Sequence, residues 1–181
     1  MNAPNDLPLT FAYRVIGEDG LDAVRPLWEK LRAHHVPLLS KFSADGPPFN
    51  FEPRKQEILT KAAAGKVRVE LVSATPGGEN IAYCVSTVSA IGRGEVDSMF
   101  VEERFRCHGI GSELVRHALA WMDDMEASSK VVNVAHANEA ALAFYQRFGF
   151  QPRTVLLQQS LASDSPPERL GVGATNVLDP Y

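Results

Sequence analysis

Residues 95–114 are the most informative part of this chain, and they read Glu95-Val-Asp-Ser-Met-Phe-Val-Glu-Glu-Arg-Phe-Arg-Cys-His-Gly-Ile-Gly-Ser-Glu-Leu114. Its pattern predicts a strand, then a basic loop with two glycines, then a long amphipathic helix. The free N–H groups at the start of a helix, together with the helix dipole, favour a bound anion. Gly109 and Gly111 carry no side chain where a phosphate would approach the backbone, and Arg106 adds a cation. The stretch therefore predicts a pyrophosphate-binding loop.

The strand at the start of this stretch has an irregular spacing of apolar residues. The interval is three positions from Val96 to Met99, but two from Met99 to Val101. A strict period of two is broken, as expected where a β-bulge lies near Asp97 and Ser98. The alternative is an ordinary irregularity at the edge of a sheet.

Strand and helix patterns alternate along the rest of the chain. Strands are predicted over 11–16, 67–73, 81–89, 130–135 and 153–161, and the second and third of these form an antiparallel hairpin. Helices are predicted from residue 20 to a His34-His35 pair at the helix end, over 53–64, after the glycine loop, and from Asn138 to Gly149. Residues 1–9 are expected to be ragged, 43–53 and 163–167 to be loops, and 170–177 to form a last strand or arm.

The overall composition limits the classes of function. With 181 residues, of which 45% are hydrophobic, the chain suits one compact domain with a substantial core. The formal net charge is −4 and basic residues are not clustered, which disfavours nucleic acid as a partner. Cys84 and Cys107 form neither a disulfide framework nor a paired metal motif, which is typical of a reducing compartment.

The sequence carries no recognisable signal for secretion or for a membrane. Residues 1–10 lack a basic segment followed by an apolar one, so a signal peptide is not expected. No apolar run approaches the roughly 18 residues that span a bilayer. We therefore expect a cytoplasmic protein with no membrane partner.

Three features then coincide along the chain. They are Arg106-x-x-Gly109-x-Gly111 between a strand and a helix, a strand over 131–135 after that helix, and Asn138-x-x-Ala141-x-x-Phe144-Tyr145-x-x-x-Gly149-Phe150. Together they resemble the GNAT superfamily of acetyl-CoA-dependent N-acetyltransferases, because the loop and the Asn-Tyr-Gly-Phe helix follow each other in the context that confirms the motif. The resemblance covers residues 81–152 well and the N-terminal elements more loosely.

The resemblance implies a fold and a co-substrate. The fold is a single α/β domain over 1–181, with a mixed, mostly antiparallel central sheet that is splayed between two parallel strands and flanked by helices. In this family the acyl-pantetheine arm of acetyl-CoA lies in the opening and pairs with strand backbone, and no metal is needed. The implied acetyl-CoA-binding residues are Met99, Phe100, Val101, Arg106, Cys107, His108, Gly109, Ile110, Gly111, Ser112 and Asn138.

The resemblance also implies catalytic residues. Tyr145 matches the family Tyr near the thioester sulfur, where a phenol can donate a proton or a hydrogen bond to the departing thiolate. Some members have a general-base Glu at the position of Glu95, and Asp97 on the same strand could share that task. His136 is a further candidate base. The alternatives are that Tyr145 is a core aromatic, that one or both carboxylates are rim charges attracting a cationic substrate, and that Asn138 caps its helix.

Residues of the N-terminal half are candidates for the acceptor side. His34 and His35 could contact substrate or take part in catalysis, or could stabilise a helix C-terminus. Four aromatic residues could line an acceptor pocket or pack as a lid: Trp28, Phe42, Phe49 and Phe51.

The sequence thus predicts an N-acetyltransferase that moves the acetyl group of acetyl-CoA directly to a primary amine of a small molecule, peptide or protein. The alternatives are a longer acyl donor and a non-catalytic acetyl-CoA or CoA sensor. A nucleotide-binding P-loop is excluded because no Gly-Lys-Ser/Thr follows the glycine loop. A homodimer formed through the C-terminal strands is compatible with the sequence.

Overall fold

A five-stranded sheet forms the centre of the molecule. The computed structural model describes residues 9–39, 50–75, 78–135 and 137–155, with the main chain only for 36–39. The strands lie in the order β1 to β5, and their bounds are Ala12–Ile16, Lys66–Ser73, Asn80–Val88, Arg93–Val101 and Ser129–Val132. The first three pairings are antiparallel, whereas β4 and β5 are parallel. The predicted mixed, mostly antiparallel sheet is therefore confirmed.

Within the described residues, four α-helices flank the sheet. Their bounds are Arg25–Leu39 for α1, Phe51–Ala63 for α2, Ile110–Asp124 for α3 and Glu139–Gln146 for α4. Short 3₁₀ helices precede two of them, at Glu18–Val24 before α1 and at Glu103–Phe105 before α3.

Some predictions about element bounds need correction, and others lie outside the described residues. The first helix does not end at His34 and His35, because α1 continues to Leu39. The strand predicted over 130–135 ends at Val132, where its pairing with β4 ends. Residues 153–155 are not in a strand. Most of the predicted strand at 153–161, the segments 163–167 and 170–177, His136, and the aromatic residues at 42 and 49 lie outside the described residues.

The two faces of the sheet carry separate apolar cores. On one face, α1 and α2 bury Leu27 and Ile58 against alternate strand residues such as Tyr83. On the other face, α3 buries Leu114 and Met122 against the opposite set of strand residues. Each fully buried side chain of this size contributes about 1.5–3 kcal/mol. This packing fixes the start of α3, and with it the glycine loop, against the end of β4.

The predicted β-bulge is present in β4. Val85 lies opposite Ser98 and the next residue of β3 lies opposite Val96, so Asp97 is the extra residue without a partner in register. Parallel pairing with β5 also ends at Val96, opposite Val132. Beyond this point the two parallel strands separate, and a gap opens between them.

The bulge also explains the irregular apolar spacing. Val96, Met99 and Val101 all pack in the α3-side core, although their spacing changes from three to two. Asp97 and Ser98 both face the α1–α2 side, where they bond Thr87 and Tyr83 of β3. Two successive side chains on one face are what one extra residue produces.

Candidate active site

The glycine loop has the backbone geometry of an anion site. Gly109 lies immediately before α3 with φ +83°, and a Cβ there would meet no atom within 4 Å, so conformation rather than space demands glycine. Cys107 adopts φ +64°, which is uncommon for a residue with a side chain. The N–H groups of Ile110, Gly111 and Ser112 come before the first intrahelical bond, from Glu113 to Gly109 at 3.0 Å. They are therefore available to an anion.

A cavity of about 690 Å³ connects this loop to the gap between β4 and β5. Its walls are the part of β4 after the bulge, the glycine loop, the end of β5, α4 and one face of α1. Gly111 contributes to the width of the cavity, because a Cβ on it would lie 3.5 Å from the Phe144 ring of α4. The structure thus brings the glycine loop and the α4 motif together across one space.

Most of the residues predicted from sequence line this cavity. They are Asp97, Met99, Phe100, Val101, Arg106, Cys107, Gly109, Ile110, Gly111, Ser112, Asn138 and Tyr145. His108 does not line it; its ring is exposed, lies edge-on to Phe11, and places Nδ1 2.9 Å from the Arg106 carbonyl oxygen. Glu95 does not line it either.

Arg106 is held at the mouth of the loop by the end of β4. Its Nε donates to the carbonyl oxygen of Val101 at 3.2 Å, and its guanidinium carbon lies 5.8 Å from the centre of the Phe100 ring. The cation is therefore placed beside the free N–H groups of α3.

Tyr145 is a buried phenol in the wall of the cavity. Its ring packs edge-on between Phe144, with centroids 5.1 Å apart, and Phe150, at 5.7 Å. Burial first, and then the nearby Cys84 and Tyr83, raise the pKa of Tyr145 well above its usual value. The phenol is therefore protonated at neutral pH and can donate. Asn138, the residue before α4, caps the helix as predicted by accepting from the Ala141 N–H at 3.1 Å.

The two candidate bases on β4 are both held by protein donors. Asn133 Nδ2 donates to Glu95 Oε1 at 2.8 Å, and Lys61 Nζ donates to Oε2 at 3.1 Å. Lys61 also donates to Asp97 Oδ1 at 2.6 Å, and Thr87 donates to Oδ2 at 2.6 Å. These contacts argue against the alternative in which both carboxylates are free rim charges.

Asp97 presents its main chain, not its carboxylate, to the cavity. The side chain has 0% exposure, although the residue lines the cavity. Burial raises the pKa of Asp97, and the hydrogen bonds from Lys61 and Thr87 oppose that rise. A raised pKa suits a general base, but a fully enclosed carboxylate cannot reach a substrate directly.

Comparison with known proteins agrees with this geometry. Residues 28–150, which make up well over half of the chain, match the acetyltransferase (GNAT) family. The chain belongs to the GNAT acetyltransferase family. It is thus an acetyltransferase, and acetyl-CoA is the co-substrate of this family.

Several solved structures share the fold of this GNAT acetyltransferase. The aminoglycoside N-acetyltransferase AAC(6')-Iy, solved with a CoA-linked bisubstrate analogue, is 16% identical with a TM-score of 0.58, over 83% of this chain and 99% of that one. An acetyltransferase of Trypanosoma brucei has 16% identity and a TM-score of 0.58, over 84% and 100%. An aminoglycoside acetyltransferase from an uncultured soil metagenomic sample has 14% identity and a TM-score of 0.58, over 84% and 97%. No curated protein sequence matches the chain at a significant level.

Two histidines of this GNAT acetyltransferase face the cavity from α1. His34 and His35 both line it, with ring centroids 6.0 Å apart. Burial, and then the neighbouring His34, lower the pKa of His35 below its usual 6.5, so its ring is neutral at pH 7. The sequence suggested a helix-end or substrate role, and the position in the cavity wall favours the second.

The described aromatics proposed for an acceptor pocket lie elsewhere. Trp28 and Phe51 pack edge-on in the core between α1 and α2, with centroids 5.5 Å apart and exposures of 7% and 6%. Neither lines the cavity. These two residues are therefore part of the core, and neither an acceptor pocket nor a lid is formed by them.

The sequence did not identify Asn133 and Phe144 as cavity residues. Both line the cavity, and Asn133 also bonds Glu95. Asn133 was predicted to lie in a strand, but β5 ends at Val132, the residue before it. Phe144 was interpreted as one more aromatic residue of the core. The signal in the sequence was Asn133 itself, a polar residue within the apolar run Val131-Val-Asn-Val-Ala135.

Two further properties concern metals and membranes. No group of three His, Cys, Asp or Glu residues in the described ranges is arranged to hold a metal ion. No helix among those residues has the length and apolar content that crossing a membrane requires.

Proposed function

We propose that this GNAT acetyltransferase transfers the acetyl group of acetyl-CoA directly to a primary amine of a small molecule or peptide. The observation that carries the proposal is one cavity that joins the anion-binding start of α3, the gap beside the β4 bulge and the Tyr145 phenol. These three parts of the cavity match the pyrophosphate, the pantetheine arm and the thioester, which follow one another in that order along acetyl-CoA.

The donor would bind along this cavity from one end to the other. The N–H groups of Ile110, Gly111 and Ser112 and the Arg106 cation bind the pyrophosphate. The main chain from Met99 to Val101, which has no β5 partner, is available to pair with the pantetheine amides and to polarise the thioester carbonyl.

The transfer itself is one substitution at the thioester. The amine nitrogen attacks the carbonyl carbon, a tetrahedral intermediate forms, and the C–S bond then breaks. Tyr145 donates to the departing thiolate, which becomes the CoA thiol. The products are an amide and free CoA.

The acceptor ammonium must lose a proton before it attacks, and Glu95 is our candidate base. Because Glu95 lies behind Asn133 and does not line the cavity, it acts through a water. Asp97 supports it by holding Lys61 on the same side. His136, the other candidate base, lies outside the described residues.

The structural relatives support a general class of acceptor and not a particular compound. Two of the similar structures are aminoglycoside acetyltransferases, which supports a small-molecule amine as acceptor. A peptide or protein amine stays an alternative within the same chemistry. A cytoplasmic location and a homodimer stay predictions.

Calorimetric titration with acetyl-CoA, followed by thiol release across a panel of amines, tests the proposal. We expect saturable binding and acceptor-dependent release of CoA. Binding without release from any small amine or peptide would favour a sensor that holds acetyl-CoA without turnover. No binding of acetyl-CoA or CoA would overturn the proposal.

A further inference from the structure

The main chain of Asp97 lies outside both strand ladders of β4. In the antiparallel pairing with β3, Ser98 lies opposite Val85 and Val96 lies opposite the next residue, so Asp97 is skipped. In the parallel pairing with β5, Val96 is the last partner. A bulged residue leaves its main-chain groups without strand partners. Without a donor from another element, its carbonyl would carry the cost of an unsatisfied polar group.

Arg54 of α2 is the donor to this carbonyl. Its Nη2 lies 2.7 Å from the main-chain oxygen of Asp97 and 3.5 Å from Oδ1 of the same residue. Its Nη1 lies 2.6 Å from Oε2 of Glu57, one turn along the helix, which orients the guanidinium. One planar group thus contacts both the bulge carbonyl and the bulge carboxylate, a geometry that suits Arg better than Lys.

Other contacts fix the same residue from the sheet and from the helix. Thr87 of β3 donates to Oδ2 of Asp97, and Lys61 of α2 donates to Oδ1, both at 2.6 Å. The carboxylate is fully enclosed and is held on both sides. Asp97 therefore has little freedom to move relative to Arg54.

We propose that Arg54 is a positioning residue for the acetyl-CoA site. By binding the carbonyl of Asp97, Arg54 fixes where β4 turns away from β5. It therefore sets the width of the gap and the direction of the main chain from Met99 to Val101. This inference rests on the proposed function, since an effect on acetyl-CoA requires that this gap hold it.

Two substitutions and a matched control test this role. Arg54→Met keeps the apolar stem but removes both contacts to Asp97, and Arg54→Lys can restore only one of them. Lys55→Met is the control, because Lys55 is the next residue of α2 and pairs with Asp22, away from the bulge. The readouts are the Kd for acetyl-CoA, the Tm, and hydrogen exchange of the β4 amides in the absence of ligand.

We expect Arg54→Met to weaken acetyl-CoA binding about tenfold, as for one lost hydrogen bond. We also expect faster exchange at residues 97–101, intermediate values for Arg54→Lys, and wild-type values for Lys55→Met. A purely structural Arg54 would lower the Tm and leave both the Kd and the local exchange unchanged, and that result would overturn the inference.

The exchange measurement separates this inference from the proposed function. If the wild-type protein does not bind acetyl-CoA, the proposed function fails. Exchange in the free protein then still decides whether Arg54 holds the bulge: faster exchange at 97–101 in Arg54→Met alone supports it, and equal exchange in both variants contradicts it. If Arg54→Met does not fold, the comparison is made with Arg54→Lys.

Discussion

Replacing Gly109 by Ala tests whether the start of α3 is the pyrophosphate site. Gly109 has φ +83° and no atom within 4 Å of a Cβ placed on it, so the substitution introduces backbone strain without a clash. Holding an L-residue in this region costs about 1 kcal/mol. For a chain of this size, that is a fall in Tm of about 2–4 °C.

Gly149→Ala provides a matched control for this strain. Gly149 has φ +86°, also has no atom within 4 Å of a Cβ, and does not line the cavity. Both variants should therefore lose a similar amount of stability. Only Gly109→Ala tilts the N–H groups of Ile110 and Gly111 away from the anion.

Acetyl-CoA binding then distinguishes the two variants. A hydrogen bond to a charged group contributes about 1.5–3 kcal/mol, so losing one weakens binding by roughly ten- to a hundredfold. We expect that change in the calorimetric Kd for Gly109→Ala and almost none for Gly149→Ala. Equal Kd values with equal losses of Tm would refute the assignment of the loop.

Three further outcomes are expected. Tyr145→Phe should lower kcat by about 10²–10⁴ where chemistry limits the rate, and single-turnover kinetics at an unchanged rate would exclude the phenol as acid. Since the folded-state pKa of His35 lies below 6.5, the unfolded chain takes up the proton first as pH falls. Stability is then lost from about pH 6.5 downward through the lower folded pKa, so His35→Gln should flatten the Tm profile between pH 8 and 5, and a profile as steep as that of the wild type would contradict the buried neutral ring. Leu114 is 0% exposed, so Leu114→Ala should lower the free energy of unfolding in urea by about 2–5 kcal/mol. Leu142 is 37% exposed, so Leu142→Ala should lower it much less. Similar losses in the two variants would contradict the placement of the α3 core.

Local sequence patterns were sufficient for the order of the elements and for the glycine loop. The hairpin of β2 and β3, the loop before α3 and the Asn138 cap each depend on residues close together in the chain. The shift in apolar spacing from Val96 to Met99 even indicated the bulge, because an extra residue must move every later side chain to the other face.

The sequence was less informative where an element stops or where one side chain meets a distant one. The end of β5 at Val132 depends on where β4 turns away, and apart from Asn133 the residues that follow, Val134 and Ala135, are as apolar as the strand itself. The histidines of α1 looked like a helix end because the sequence that follows them is rich in glycine and proline, whereas α1 continues to Leu39.

Residues close together in the chain therefore specify the parts of the site that local geometry builds: a strand with a bulge, an αL glycine and the helix that follows it. The partners of the β4 carboxylates, in contrast, are set by the tertiary fold. Arg54 and Lys61 reach Asp97 across 43 and 36 positions of chain, and Asn133 reaches Glu95 across 38. A periodic pattern carries no information about partners so far apart, because their meeting depends on how α2 packs on the sheet.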